Sequence, residues 1–188
     1  PIISTPSGCL PFSFICPSPC SPVTVDIVID FGAIPNDNIS DQCAFEAAAS
    51  FLSSLSASVQ KTLYIPLGTY DVGRQDHIDW NPITWPYSTW YLYGNPVLSF
   101  NGISNLTIRG MHVVEQVPKL RFMNCMKYGA FDAPDNPGER YLSCNSGSIC
   151  NLTPNDYDKI AFPGEMIILN DCNNTKIEYL ELDGNLEN

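Results

Sequence analysis

Four carboxylates stand close together in one segment of the chain: Asp171, Glu178, Glu181 and Asp183. Cleavage of a glycosidic bond uses two carboxyl groups, one protonating the leaving oxygen and one acting as nucleophile or base, held roughly 5 to 10 Å apart. Neighbouring strands of a sheet lie about 5 Å apart, so such partners need not be close in sequence. These four residues are the candidate catalytic groups. Alternation points Glu178 and Glu181 outward, whereas Asp183-Gly184-Asn185 has turn chemistry, and a structural turn is the competing reading of Asp183.

A second feature suited to sugars is aromatic. The stretch from Trp80 to Tyr93 holds all three tryptophans of the chain. Flat apolar sugar faces stack on such rings, which makes Trp80, Trp85, Tyr87, Trp90 and Tyr91 candidate carbohydrate-binding residues. The same rings would equally serve by packing over the body of the fold or at an oligomer contact. Lyase chemistry would need a Lys or Arg base, with Ca²⁺ or another cation neutralising the substrate carboxylate; Arg109, Lys119, Arg121 and Lys127 are present but fit no catalytic motif. Otherwise no cofactor is required. His77 and His112 lack neighbours that would signal a triad, and nucleotide-loop and zinc-peptidase motifs are missing.

Acidic residues outnumber basic ones 20 to 9, for a formal charge of −11. Nucleic-acid binding rests on basic side chains and is excluded as an expectation. The same field repels a polyanionic glycan, so a neutral polysaccharide is the favoured partner. The eight cysteines, Cys9, Cys16, Cys20, Cys43, Cys125, Cys144, Cys150 and Cys172, show no paired C-x-x-C spacing, and only two histidines accompany them. Disulfides are therefore expected rather than a metal site, and with them a secreted or cell-surface location. Sequons at Asn38, Asn105, Asn151 and Asn173 point the same way. No apolar run approaches the roughly 18 residues of a membrane span, and a start at Pro1 reads as a processed, soluble product.

These groups need elements to position them. Residues 1–22 hold six prolines and three cysteines and read as a disulfide-pinned arm, with Cys43 within reach of it; residues 23–188 form the body. Val23, Val25, Ile27 and Ile29 alternate as in a half-buried strand. One helix is predicted, from about Asp41 to Leu55, capped by Ser40 or Asp41, with Ala44, Phe45, Ala48, Phe51, Leu52 and Leu55 on one stripe. A short strand ends in the turn residues of Leu63-Tyr-Ile-Pro-Leu-Gly-Thr-Tyr70.

The segment 97–113 aligns without a gap on 166–182. Apolar positions coincide at Val97/Met166, Leu98/Ile167, Phe100/Leu169, Ile103/Cys172, Ile108/Ile177, Met111/Leu180 and Val113/Leu182, and Asn101 and Asn105 match Asn170 and Asn174. The offset of 69 residues equals three units of 23, a plausible coil length for a solenoid whose coils bury their apolar faces on one another.

The run Asp30-Phe-Gly-Ala-Ile-Pro-Asn-Asp-Asn-Ile-Ser-Asp-Gln-Cys-Ala-Phe-Glu-Ala-Ala48, followed by Leu63 to Tyr70, resembles the N-terminal signature of the pectate-lyase-like superfamily. The resemblance covers most of residues 24–113 and 164–185. It implies an all-β, right-handed, single-stranded parallel β-helix with an N-terminal capping α-helix, and catalytic residues of such enzymes commonly sit on central coils. A coil left open after Leu182 would expose strand edges and an apolar face, so the body is expected to be incomplete at its C-terminus, or completed by self-association or a second chain. The functional expectation is a secreted carbohydrate-active protein, a glycoside hydrolase or polysaccharide lyase. Its alternative is a non-catalytic extracellular protein such as an adhesin, a tailspike-like trimer or a surface-filament subunit.

Overall fold

A computed structural model describes residues 21–79, 90–124, 126, 129–131 and 159–185. The described residues form, in order, β1 (Val23–Asp26), α1 (Gln42–Ser54), β2 (Lys61–Ile65), β3 (Thr69–Val72), β4 (Gln75–Asp79), β5 (Trp90–Gly94), β6 (Leu98–Asn101), β7 (Ser104–Gly110), β8 (Lys119–Phe122), β9 (Gly129–Phe131), β10 (Lys159–Phe162), β11 (Ile167–Asn170), β12 (Asn173–Glu178) and β13 (Glu181–Asp183).

Three of the four sheets are parallel: β1-β2-β7-β12, β3-β8-β13 and β6-β11. The fourth, β4-β5-β10-β9, is mixed, with antiparallel pairs at both ends around a parallel β5/β10 pair. Strict alternation in β2 sends Leu63 and Ile65 into the core, as it does Leu106 and Ile108 in β7 and Leu98 and Phe100 in β6.

The expected all-β single-stranded β-helix is corrected by this arrangement. The strands are divided among several short sheets, one of them mixed, and the overall class is mixed rather than all-β. Nor is there a constant repeat: along one sheet Val23 pairs with Lys61, Lys61 with Leu106 and Leu106 with Thr175, separations of 38, 45 and 69 residues. The 69-residue echo is therefore the register of two adjacent strands, not three units of 23.

Within that echo the pairing follows the alignment closely. Leu98 faces Ile167, Phe100 faces Leu169 and Ile108 faces Ile177, and the Asn174 amide donates to Asn105 Oδ1 at 2.6 Å. Both asparagines hold positive φ, 58° and 52°, the left-handed turn conformation that asparagine tolerates best after glycine. The alignment fails beyond Gly110. Leu182 pairs with Leu120 and not with Val113, because residues 111–118 form a turn pinned by reciprocal Val113–Gln116 backbone bonds.

The helix forms where its stripe predicts. Ala44, Phe45, Ala48, Ala49 and Leu52 are buried in the common core, and Phe45 meets Tyr70 edge-on at 5.7 Å. Asp41 makes no side-chain cap bond; the Gln42 N–H donates instead to Ser40 Oγ, at 3.3 Å. The buried Gln42 amide locks the helix to its surroundings, donating to Glu46 and the Pro96 carbonyl and accepting from the Gly73 N–H. The predicted first strand is shorter than its alternation, since the chain turns at residues 27–31 and leaves Ile29 exposed. The second predicted strand ends at Ile65, before the turn residues Pro66-Leu67-Gly68, and β3 follows. Gly68 has φ of 142°, and a Cβ there would lie 2.4 Å from Pro35 Cβ.

Strands β11, β12 and β13 are edges of their sheets, and Leu169, Ile177 and Leu182 are partly exposed along them. Among the described residues no helix is long and apolar enough to cross a membrane.

Candidate functional site

The sheet β3-β8-β13 carries an ordered set of charges because its strands run parallel and in register. Tyr70, Leu120 and Leu182 occupy one row, and the flanking rows are Thr69, Lys119, Glu181 and Asp71, Arg121, Asp183. Side chains alternate across a strand, so Tyr70 and Leu120 enter the core while the charged rows take the opposite face.

On that face Arg121 clamps Asp71 with two parallel bonds, Nε to Oδ1 at 2.8 Å and Nη2 to Oδ2 at 3.0 Å. Asp71 is almost wholly buried beneath it. Lys119 Nζ reaches Glu181 Oε1 at 2.7 Å and Asp183 Oδ2 at 3.5 Å. The bond from Glu181 raises the Lys119 pKa above the ordinary lysine value, so the amine stays charged.

Behind Asp71 lies Asp41, whose N–H donates to the Asp71 carbonyl at 2.7 Å. Asp41 Oδ1 accepts the Ile34 N–H at 2.8 Å, while Oδ2 is buried without a partner. Burial pushes its pKa up to about 6, against the lowering effect of the Ile34 bond and with further raising by Asp37 and Asp71.

The four predicted catalytic carboxylates separate into one pair and two isolated groups. Glu181 and Asp183 stand together on the charged face. Asp171 occupies an exposed left-handed turn position, φ 50°, between β11 and β12. Glu178 belongs to the neighbouring sheet, where it meets Arg109 at 3.0 Å and also bonds Lys176. The bond from Lys176, followed by that from Arg109, holds its carboxyl below the usual range and unsuited to donating a proton. The turn reading of Asp183-Gly184-Asn185 agrees with the structure: Asp183 Oδ1 accepts the Asn185 N–H at 2.9 Å and Asn185 has φ of 51°.

Of the lyase bases considered, Arg109, Lys119 and Arg121 all face carboxylates; Lys127 lies outside the described residues. Among the described residues no group of three or more His, Cys, Asp or Glu has a geometry that would hold a metal ion. Trp80, Trp85 and Tyr87 also lie outside the described residues, while the backbone of Trp90 and Tyr91 is on β5, opposite Asp79 and Ile78 of β4.

Cys43 is disulfide-bonded. Cys172, expected in a disulfide, is instead a free thiol half-buried against the core, with Sγ 3.3 Å from the Asn170 carbonyl. Cys9, Cys16, Cys20, Cys125, Cys144 and Cys150 are outside the described residues, as is Asn151. Asn38 and Asn173 are exposed. Asn105 uses its amide, donating to the Ala57 carbonyl at 2.9 Å and accepting from Asn174.

Comparison with protein-family models, curated proteins and solved structures finds no match for the chain. Function therefore has to be argued from the charged face itself. Sequence reasoning missed Asp71, whose partner Arg121 lies 50 residues away and is found only through the register. It also took Lys119 and Arg121 one at a time, although their i, i+2 spacing was a visible sign of a shared face.

Proposed function

We propose that this chain is an extracellular carbohydrate-directed protein that binds a neutral polysaccharide across the outer face of β3-β8-β13. The observation that carries this reading is the interleaving of charges: acceptor-only carboxylates of Asp71, Glu181 and Asp183 alternate with donor-only Lys119 and Arg121. A sugar hydroxyl both donates and accepts, so it bonds best where the two kinds of group are adjacent. A polyanion would meet the accessible carboxylates of Glu181 and Asp183 here and a formal charge of −11 overall. The disulfide at Cys43 supports an oxidising, extracellular setting.

Hydrolysis is the second reading, favoured by Glu181 and Asp183. Two positions apart on one strand face, they stand about 6.5 to 7 Å apart along the backbone, within the span of glycosidase carboxylate pairs. Incubation with soluble β-glucan, galactomannan and arabinan, with reducing ends and retained polysaccharide both measured, separates the readings. Binding without new reducing ends supports a non-catalytic adhesive protein. Turnover lost in Glu181→Gln and Asp183→Asn supports a hydrolase, and neither binding nor turnover refutes the proposal.

A further inference from the structure

Beside the charged face, at the corner joining β12 to β13, Tyr179 lies parallel to His112, with ring centroids 4.6 Å apart and planes inclined by 15°. Tyr179 is 48% exposed, and among the described residues no second ring covers it. It precedes Glu181 by two residues, and the Glu181 N–H is tied to the Pro118 carbonyl at 3.0 Å, so this ring and the Lys119–Glu181 pair share one corner.

Among the described residues at positive φ, Tyr179 alone carries an aromatic ring. Most of the non-glycine residues at positive φ are asparagine: Asn36, Asn38, Asn105, Asn174 and Asn185. Tyr179 adopts φ of 55°, where a bulky side chain is strained and asparagine or glycine is not. The Tyr179 carbonyl rests against Gly110, where a Cβ would collide with it. An aromatic ring is thus held where the backbone disfavours one, and such strain collects at ligand-contacting positions.

We infer that the outer face of Tyr179 is the stacking platform for one pyranose ring of the bound polysaccharide, with His112 supporting the ring from behind. A sugar lying on it presents its equatorial hydroxyls to Glu181 and Lys119, which combines an apolar face with adjacent donors and acceptors. This inference rests on the carbohydrate reading of the charged face and adds the subsite that fixes where the chain of sugars begins its contact.

The test compares three forms of the full chain: wild type, Tyr179→Phe and Tyr179→Asn. Their affinity for β-glucan, galactomannan and arabinan is measured by affinity electrophoresis, alongside thermal unfolding. Tyr179→Phe keeps the ring and is expected within about twofold of wild type. Tyr179→Asn relieves the backbone strain and is expected to raise the unfolding temperature while weakening binding about tenfold, the loss of one aromatic stacking contact. A purely structural Tyr179 would instead lower the unfolding temperature when replaced. Unchanged affinity in Tyr179→Asn overturns the inference but leaves the carbohydrate reading intact, provided wild type binds and Glu181→Gln weakens it. If wild type binds none of these neutral polysaccharides, both fall together.

Discussion

Replacing Asp41 by Asn alters the one carboxyl, among the described residues, whose titration the fold displaces toward neutrality. Its pKa rises from 3.8 to about 6 on folding, chiefly because burial penalises the charged form. The folded state therefore binds the proton more tightly than the unfolded chain does. The resulting stability is fully present below about pH 4 and is lost as pH rises through 6. A displacement of that size corresponds to roughly 3 kcal/mol, on the order of 1.4 kcal/mol per unit. Asn at this position keeps the acceptor for the Ile34 N–H, never ionises, and puts an amide where Oδ2 is now unpartnered. Urea unfolding of both proteins between pH 4 and 8 isolates the effect, since other groups cancel in the difference. The two should be about equally stable at pH 4, and Asp41→Asn should be more stable by up to about 3 kcal/mol at pH 7.5. A difference that does not vary with pH, or a variant less stable throughout, refutes the reasoning.

Other perturbations test the supports of the charged face and core. Arg121→Ala strands the buried Asp71 carboxylate, and loss of one partner of a buried pair should lower stability by about 3 kcal/mol in chemical unfolding. Lys61→Met removes an ammonium whose Nζ bonds the Ser56, Val59 and Ser104 carbonyls at 2.8 to 2.9 Å. Unsatisfied buried acceptors cost about 1 to 3 kcal/mol each, so a loss of at least about 2 kcal/mol is expected by the same assay. Gly110→Ala forces the Tyr179 carbonyl away; soluble protein should show both a lower unfolding temperature and weaker polysaccharide binding, and unchanged values for both would contradict the geometry.

Much of the pairing was legible in the residues. The match of Asn105 with Asn174 and of Ile108 with Ile177 predicted a real ladder, because strands stacked in register repeat their apolar and turn positions. The period drawn from it was wrong for a physical reason: a sequence offset counts every residue of the connections, whatever their shape, so 69 residues make one return to the sheet. The helix was legible from Phe45, Ala48 and Leu52, whose burial needs only the 3.6-residue period. Residues joined through unequal connections were not legible. Asp71 and Arg121 are ordinary surface types until register brings them together, and Asp41 is displaced chiefly by a burial that no local pattern announces. Tyr179 carries no signal in the local pattern; its stacking on His112 and its positive φ emerge only in the fold.

The central claim is that the interleaved charges of β3-β8-β13 recognise a neutral polysaccharide. Its most direct test is the binding isotherm of wild type and of Glu181→Gln/Asp183→Asn on galactomannan, β-glucan and arabinan, with polygalacturonate as the acidic control. The exposed ion pairs lost in the double variant contribute little to folding, so its unfolding temperature should barely move. Saturable binding to at least one neutral polysaccharide, weakened tenfold or more in the double variant and absent for polygalacturonate, is the predicted result. Binding to polygalacturonate alone, or equal binding by the double variant, would contradict it.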